Sequence, residues 1–344
     1  MKVALVRGAY LNNFEGQNYS ELSNTVQVTG IASKKPIHSE FSFPVDKLLS
    51  LTDFGFPSWI ANRTIGDKHY LFGLEKSVRG FDIVHTADPH YYYTYQLAML
   101  RKQGKIKKLI ATSWDTIPFN NESVEAKKRI KYFSMKYIDH FICYTNRAKK
   151  CLKAEGVNPN KITVIPIGVD LNKFKPAPKV NSRSKSGKLR ILFTGRDVVE
   201  KGLSDLRTSI NQLIEEGEVE LLVAGNVQYD RMPEVYRLAD IFVIPSKTTK
   251  TWEEQYGMSL VEAMASGLPI VAYSSGSIPE ILGSVGILVP EGSTRSLKKE
   301  LTNLVVSSTK RLRLGNVARK RAENVYNSAA FGRKIKSFYV SVLK

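Results

Sequence analysis

Residues 254–269 read Glu254-Gln255-Tyr256-Gly257-Met258-Ser259-Leu260-Val261-Glu262-Ala263-Met264-Ala265-Ser266-Gly267-Leu268-Pro269. Two carboxylates, Glu254 and Glu262, have seven residues between them. The first stands in a loop that contains a glycine, and the second stands in a helical pattern. Because carboxylates accept hydrogen bonds from hydroxyl groups, this pair can hold two parts of one polyhydroxylated ligand.

The same spacing also fits a purely structural arrangement. In a capping box, Ser259 would cap a helix and Glu262 would reach back to the backbone N–H of that cap. Gly267 and Pro269 would then end the helix in the ordinary way. Spacing alone does not choose between the cap and a ligand site.

The context of the two glutamates resembles family 4 of the retaining GT-B glycosyltransferases. Members of this family carry Glu-x7-Glu within Glu-x-(Phe/Tyr)-Gly-x4-Glu-Ala-Met-Ala-x-Gly-x-Pro, and the chain matches each of those positions. Phe193-Thr194-Gly195-Arg196, followed by Lys201-Gly202, resembles the Gly-Arg-x4-Lys-Gly phosphate-binding segment of the family. Weaker similarity runs through residues 165–170 and 239–246. The resemblance is specific in the C-terminal half and thin in the N-terminal half.

Alternation of apolar strand patterns with helical patterns predicts parallel, doubly wound α/β sheets. The chain has 344 residues, a length that suits two domains of about 150 residues each. We predict an N-terminal acceptor-side domain at residues 1–167, completed by a C-terminal crossover helix at 328–344. A nucleotide-sugar-binding domain is predicted at 188–327, after a Pro-, Ser- and Lys-containing linker at 168–187. In a GT-B fold, two such Rossmann-like domains face a central cleft.

Composition narrows the function further. The chain contains 42% hydrophobic residues and no apolar run of membrane-spanning length, and its start does not resemble a secretory signal, so we expect a cytoplasmic protein. Cys143 and Cys151 are the two cysteines, and we expect both to be buried apolar residues in a reducing compartment. The five histidines show no zinc-site spacing, so neither a metal nor another cofactor is expected.

The resemblance implies transfer of a sugar from a nucleotide diphosphate, such as a UDP- or GDP-sugar, with retention of configuration. Without a metal, fixed cations must stabilise the leaving diphosphate. Arg196 offers a planar fork and Lys201 a compact charge, beside Gly195 at the end of a strand. By resemblance, Glu254 faces the hydroxyls of the donor sugar. No general base is named, because in this family the leaving phosphate itself can guide the acceptor hydroxyl.

The resemblance also implies a set of nucleotide-binding residues. Glu262 would accept the ribose hydroxyls, and Gly257 would let the loop before Met258 and Ser259 approach the donor closely. Asn226 and Tyr229 lie in the loop that resembles the base-binding loop of the family. These residues do not identify the base of the nucleotide or the donor sugar.

The predicted acceptor side lies in the N-terminal half. Glu15 and Gly16 stand where relatives have a Gly-rich loop, and Trp114 offers an aromatic face that can stack on an acceptor ring. His85-Thr86-Ala87-Asp88 resembles the family's His-Thr-His-Asp, with Ala87 in place of the second histidine. His85 is also compatible with a packing role at the end of a strand.

The net charge of +19 predicts attraction to polyanions. Basic residues cluster at 101–108 and 127–136, and the second cluster suits either a helix lying on an anionic bilayer or a solvated helix face. The membrane hypothesis implies a lipid-linked acceptor; the alternative acceptor is a glycan. A nucleic-acid-binding protein would explain the charge, but no recognition motif is present, so no nucleic-acid partner is expected. Nucleotide-sugar epimerases and glycan phosphorylases share the GT-B fold and remain alternatives.

Overall fold

The computed structural model describes residues 1–22, 26–38, 40–55, 57–177 and 187–344. The chain divides into two compact units, Met1–Ile167 with Ser328–Lys344, and Gly168–Asn327. Residues 178–186 of the predicted linker lie outside the described residues. The part at 168–177 belongs to the second unit, where the Arg319 guanidinium donates to the carbonyl oxygen of Phe174 (2.7 Å).

The first unit is built on a sheet of seven parallel strands: β1 (Lys2–Gly8), β2 (Gln27–Ser33), β3 (Val45–Leu48), β4 (Ile83–Thr86), β5 (Leu109–Ser113), β6 (His140–Cys143) and β7 (Ile162–Val164). Their order across the sheet is β3-β2-β1-β4-β5-β6-β7. Every residue of β4 and β5 is buried, as expected for parallel strands that helices cover on both faces.

In the described part of this unit, the helices that connect these strands are α1 (Asn13–Gly16), α2 (Ser58–Thr64), α3 (Leu74–Ser77), α4 (Tyr92–Lys102), α5 (Glu125–Tyr137) and α6 (Asn146–Ala154). Short 3-10 turns lie at Gln17–Leu22, Leu51–Phe54 and Pro159–Lys161. The apolar faces of α4 and α6 supply Leu97, Ala98 and Leu152 to the core of this unit.

The second unit is built on a sheet of five parallel strands: β8 (Leu189–Thr194), β9 (Val219–Ala224), β10 (Ile241–Ile244), β11 (Ile270–Tyr273) and β12 (Ile287–Val289). Its helices are α7 (Leu203–Glu215), α8 (Met232–Leu238), α9 (Met258–Ala265), α10 (Ile278–Leu282), α11 (Thr294–Val306) and α12 (Ser308–Val325), with 3-10 turns at Val199–Lys201 and Tyr229–Arg231. Strand order is β12-β11-β10-β8-β9. The last helix of the chain, α13 (Ser328–Leu343), belongs to the first unit.

Both sheets have a point where the strand order reverses. In the second unit, β9 lies on one side of β8, and the next strand in sequence, β10, lies on the other side of β8. Ligands of open α/β sheets bind outside the carboxyl ends of the strands at such a point. In the second unit, the loops after β8 and β10 meet there. In the first unit, the loops after β1 and β4 occupy the corresponding position.

The predicted fold class is confirmed: both units are α/β, with parallel strands and flanking helices. Sequence patterns missed β2, β3 and β7. The first contains a glycine and two hydroxyl residues, β3 is a partly exposed four-residue edge strand, and β7 has three residues. None of these segments carries a clear apolar run.

Candidate functional site

The loops after β8 and β10 are in direct contact in the second unit. Gly202 has φ 70°, and a Cβ at this position would collide with the carbonyl oxygen of Pro245, which follows β10. Only glycine fits such a close approach in this backbone conformation. The contact fixes the position of Lys201 relative to Ser246.

Lys201 and Glu254 form an ion pair with 2.7 Å between Nζ and Oε2. Ser246 donates its hydroxyl to the same carboxylate oxygen (3.0 Å). The ammonium also lies 4.8 Å from the centroid of the Trp252 ring, within cation–π range. Both charged side chains are mostly buried, so water screens their attraction less than on an open surface. The structure therefore brings together two residues that the sequence placed in one site.

Arg196 stands at the end of β8, and its side chain is exposed. Its guanidinium makes no hydrogen bond or ion pair with any residue that the structure describes. Gly195 before it has φ 135° and donates its N–H to Ala224 at the end of β9 (3.1 Å). The loop that begins at Gly225 therefore lies beside Gly195, and it carries the exposed side chain of Asn226.

Glu262 is buried in α9, and its Oε2 accepts a hydrogen bond from the hydroxyl of Tyr236 (2.8 Å). Burial raises the pKa of the Glu262 carboxyl to about 7, and hydrogen bonds from Tyr236 and Tyr229 offset part of that rise. Tyr229 was predicted on the base-binding loop, and the structure places it beside this glutamate.

The capping-box alternative is wrong. Helix α9 begins after Gly257, which has φ 79° and is the N-cap, so Ser259 already lies inside the helix. The Glu262 carboxylate contacts Tyr236 rather than the start of the helix. Because Gly257 has no side chain, the first amides of α9, at Met258 and Ser259, have no side-chain cap. Such an uncapped helix start favours an anion.

A third loop, at Gly276 and Ser277, lies against the backbone of Glu254. The N–H of Ser277 donates to the carbonyl oxygen of Glu254 (2.8 Å), and a Cβ at Gly276 would collide with that oxygen. The backbone on both sides of the Glu254 side chain is therefore fixed. Among the residues that the structure describes, the site combines the exposed cation of Arg196, the Lys201–Glu254 ion pair and the buried carboxylate of Glu262.

Sequence reasoning missed Ser246 and Tyr236. Ser246 could have been found, because it lies two residues after β10, the strand next to β8 at the reversal point. Tyr236 lies within α8, and no sequence signal separates it from an ordinary buried tyrosine.

Of the predicted acceptor-side residues, Glu15 lies in the interior of the first unit. Its carboxylate forms a buried ion pair with Arg7 (2.7 Å) and accepts the hydroxyl hydrogen of Tyr144 (2.8 Å). Its side chain is 3% exposed. Glu15 was expected in a loop that faces the acceptor, and this expectation is wrong. Its carboxylate is buried and balances the charge of the buried Arg7 guanidinium.

His85 is fully buried and contacts protein at both ring nitrogens. Nδ1 lies 2.6 Å from the hydroxyl of Tyr339 on α13, and Nε2 lies 2.7 Å from Oγ1 of Thr112. Burial, together with the charge of Arg7, holds the pKa of His85 well below its ordinary value. His85 therefore has the packing role that the sequence also allowed. Both of its ring nitrogens contact protein groups, so the predicted contact with a ligand does not fit this geometry.

Gly16 and Trp114 differ in their surroundings. Gly16 ends the short helix α1 and is buried against Phe41, whose ring lies 3.2 Å from where a Cβ would stand. Trp114 is partly exposed after β5, and its ring meets the edge of Tyr144 with 4.5 Å between centroids. Of the predicted acceptor-side residues, Trp114 is the one that keeps a solvent-accessible aromatic face.

The basic segment 127–136 forms most of α5. Ile130 is buried, and Phe133 and Met135 pack against the core of the first unit, so the apolar side chains are not available to a bilayer. Lys128 and Lys136 remain exposed. The helix is thus an ordinary amphipathic helix with a charged outer face. Among the described residues, no helix is both long and apolar enough to cross a membrane.

Two family models match the chain. The model for glycosyltransferase family 4 matches residues 27–173, and the model for glycosyl transferases group 1 matches residues 214–321. The second match contains both glutamates of the site.

Curated relatives and solved structures agree with this assignment. The chain is 28% identical over 218 residues to the sulfoquinovosyl transferase SQD2 of Arabidopsis thaliana, a match that covers 55% of the chain and 42% of the relative. It is 29% identical over 202 residues to the MMP alpha-(1->4)-mannosyltransferase of Mycolicibacterium hassiacum, covering 50% of the chain and 46% of the relative. The matches thus span about half the length of these relatives.

Among solved structures, Anabaena HepE in complex with UDP and glucose superposes with a TM-score of 0.76 at 15% identity, over 99% of this chain and 100% of that one. At this identity the likeness shows the fold, which is GT-B. The chain therefore belongs to the GT-B glycosyltransferases that carry a family 4 domain and a group 1 domain.

Proposed function

We propose that the protein transfers a sugar from a nucleotide diphosphate sugar to a glycan or lipid-linked acceptor, with retention of configuration and without a metal at the diphosphate. The observation that carries the proposal is the group of charged side chains at the reversal point of the second sheet. Arg196 is exposed, Lys201 is paired with Glu254, and Glu262 is buried in α9, the helix that follows Glu254.

Each group has a part in the proposed reaction. As the bond to the anomeric carbon breaks, negative charge grows on the leaving diphosphate, and Arg196 and Lys201 stabilise it. The uncapped amides of α9, at Met258 and Ser259, add a fixed positive dipole. Glu262 accepts the ribose hydroxyls, and Asn226 and Tyr229 contact the base.

Glu254 orients the sugar and is not a nucleophile. Its Oε2 already accepts hydrogen bonds from Lys201 and Ser246, which lowers the reactivity of that oxygen. A sugar hydroxyl can add a further hydrogen bond to the carboxylate. This arrangement supports a mechanism in which the leaving phosphate accepts the proton of the attacking hydroxyl on the same face of the sugar.

The donor base is proposed to be uracil or guanine. HepE is bound to UDP and glucose in the structure named above, and the mannosyltransferase and the sulfoquinovosyl transferase carry different sugars in their names. The acceptor is proposed to be presented at an anionic surface, because the exposed lysine and arginine side chains of the first unit would be attracted to such a surface. Each exposed Lys or Arg near such a surface contributes about 1 kcal/mol of attraction.

Incubation of the purified chain with UDP- and GDP-sugars in excess EDTA tests the proposal. A panel of glycan and lipid-linked acceptors is supplied, and products are separated and analysed by NMR for anomeric configuration. We expect a glycoside with the anomeric configuration of the donor, and we expect it to form in the presence of excess EDTA.

Three results would count against the proposal. An inverted product would exclude retention. Recovery of activity only after Mn²⁺ or Mg²⁺ is added would exclude metal independence. An epimerised nucleotide sugar with no glycoside would favour the epimerase alternative.

A further inference from the structure

Three side chains of the first unit converge in a buried cluster. Asp88 and His90 follow β4, and Asp115 follows β5, the strand paired with it in parallel. One potential ligand atom from each lies within 4.8 Å of the other two. All three residues are buried, and His90 is 6% exposed.

The imidazole of His90 lacks a hydrogen-bond partner at Nδ1 among the described residues. This nitrogen points toward the carboxylate of Asp115 but lies 3.5 Å from Oδ2, too far for a good hydrogen bond. An imidazole nitrogen is a common metal ligand in proteins. A buried polar atom without a hydrogen-bond partner is costly, so a ligand at this nitrogen would remove that cost.

The two carboxylates lie in the same buried cluster. Asp88 accepts hydrogen bonds from the N–H of Trp114 (2.8 Å), the backbone N–H of Asp115 and the side chain of Ser113. The side-chain amides of Asn120 and Asn121 donate to Asp115 at 3.4 and 3.3 Å. Two carboxylates in one buried cluster repel each other unless a proton or a cation intervenes.

We propose that Asp88, His90 and Asp115 bind one divalent transition-metal cation. One imidazole nitrogen and two carboxylate oxygens form a three-residue ligand set that suits Zn²⁺ or Mn²⁺, with water completing the coordination. A cation would give His90 Nδ1 its missing partner and would offset the repulsion between the carboxylates.

Two lysines near the cluster, Lys127 and Lys131, would repel a bound cation only weakly. Lys131 is paired with Glu122 (2.9 Å) and Glu155 (2.6 Å), so its charge is already balanced. Lys127 donates to the side-chain oxygen of Asn121 (2.9 Å). Asp67 lies on the same side and contributes a further negative charge to the surroundings of His90.

The proposed cation would have a structural role, whereas the residues of the donor site are proposed to bind the nucleotide sugar. Asp88 holds the N–H of Trp114, so a metal on Asp88 and Asp115 would order the loop that carries the accessible aromatic face. The inference does not depend on the proposed glycosyl transfer. Because the ligands all belong to the first unit, removing the metal is expected to lower thermal stability without changing affinity for a nucleoside diphosphate.

Metal titration of untagged full-length protein tests this inference. The protein is stripped with a chelator, dialysed and titrated separately with Zn²⁺, Mn²⁺ and Co²⁺ by calorimetry, with melting temperature and the Co²⁺ visible spectrum as further readouts. We expect one equivalent to bind and the melting temperature to rise. Asp88→Asn and His90→Gln should each weaken binding at least tenfold.

His140→Gln is the matched control, because His140 lies outside the cluster at the start of β6, where its Nε2 contacts Oγ1 of Thr163 (2.9 Å). Circular dichroism checks that each variant is folded, and Asp115→Asn replaces any variant that is not. Wild-type protein that binds no ion would overturn the inference and leave a shared proton in the cluster. Equal binding by wild type, His90→Gln and Asp88→Asn would overturn it as well.

Discussion

The ammonium of Lys201 lies 2.7 Å from Oε2 of Glu254, so the cation proposed for the diphosphate and the carboxylate proposed for the sugar hold each other in place. Each comes from a different loop, one after β8 and the other after β10. A donor that binds here contacts both residues at once, because its phosphate and its sugar are adjacent. The pair therefore couples diphosphate recognition to sugar recognition.

Arg196→Ala and Lys201→Ala are each expected to lower transfer by on the order of a hundredfold or more, because each removes a fixed cation from the leaving diphosphate. Steady-state kinetics with saturating donor measures the effect. Arg313→Ala, an exposed arginine on α12, is the control and should retain wild-type rates. Near-normal rates for both site variants, with unchanged melting, would remove the phosphate assignment.

Glu254→Gln and Glu262→Gln are expected to distinguish binding of the donor sugar from binding of the nucleotide. Loss of the Glu254 charge weakens hydrogen bonds to the sugar and releases Lys201, so affinity for the sugar donor falls while affinity for the bare diphosphate stays the same or rises. Glu262→Gln should cost about 1 to 3 kcal/mol in binding of both ligands, because ribose is common to them. Calorimetry with each ligand measures the split, and equal, negligible effects in both variants would contradict it.

The stability of the second unit is expected to depend on Glu262 between pH 5 and 8. Its pKa is about 7 when folded, above the ordinary value of 4.5, so unfolded protein loses this proton first as pH rises. Stability therefore falls through this window, by on the order of 3 kcal/mol at most.

Glu262→Gln lacks the titrating group and should not show this fall. Urea unfolding at pH 5 and pH 8 measures the difference between variant and wild type. Glu215→Gln, an exposed glutamate at the end of α7, should leave the wild-type profile unchanged. A constant difference between wild type and Glu262→Gln at the two pH values would show that burial does not raise this pKa.

Gly202→Ala is expected to destabilise the second unit more than Gly217→Ala. Both glycines have positive φ, 70° and 79°, so both substitutions carry a similar backbone strain of about 1 kcal/mol. The Cβ at Gly217 would meet open space, whereas the Cβ at Gly202 would collide with the backbone of Pro245. Denaturant unfolding should show the larger loss for Gly202→Ala, and equal losses would mean that the loops after β8 and β10 separate easily.

Sequence patterns were sufficient for the strands that consist of continuous apolar runs and for the convergence of Lys201 and Glu254 on one site. Runs such as Ile241–Ile244 are apolar on both faces, so their identity as parallel strands follows from composition alone. The start of α9 could not be placed by pattern, because Ser259 and Gly257 are both acceptable N-caps and the choice depends on the φ of Gly257.

The acceptor-side predictions were weaker for a related reason. Glu15 follows β1 and His85 lies near the end of β4, but their burial depends on Tyr144 and Tyr339, which are distant in sequence. Burial of a polar residue is set by its long-range partners, which spacing does not reveal. The cluster of Asp88, His90 and Asp115 was missed because only the sheet order brings the two loops together.

Calorimetric titration of the wild-type chain with UDP, GDP and ADP in excess EDTA tests the central claim most directly. The account predicts that one diphosphate binds with one-to-one stoichiometry. A hundredfold excess of that diphosphate over its dissociation constant should raise the free energy of unfolding by roughly 3 kcal/mol. Arg196→Ala with Lys201→Ala should abolish the binding. Failure of all three nucleotides to bind, or binding that requires added Mg²⁺ or Mn²⁺, would contradict the account.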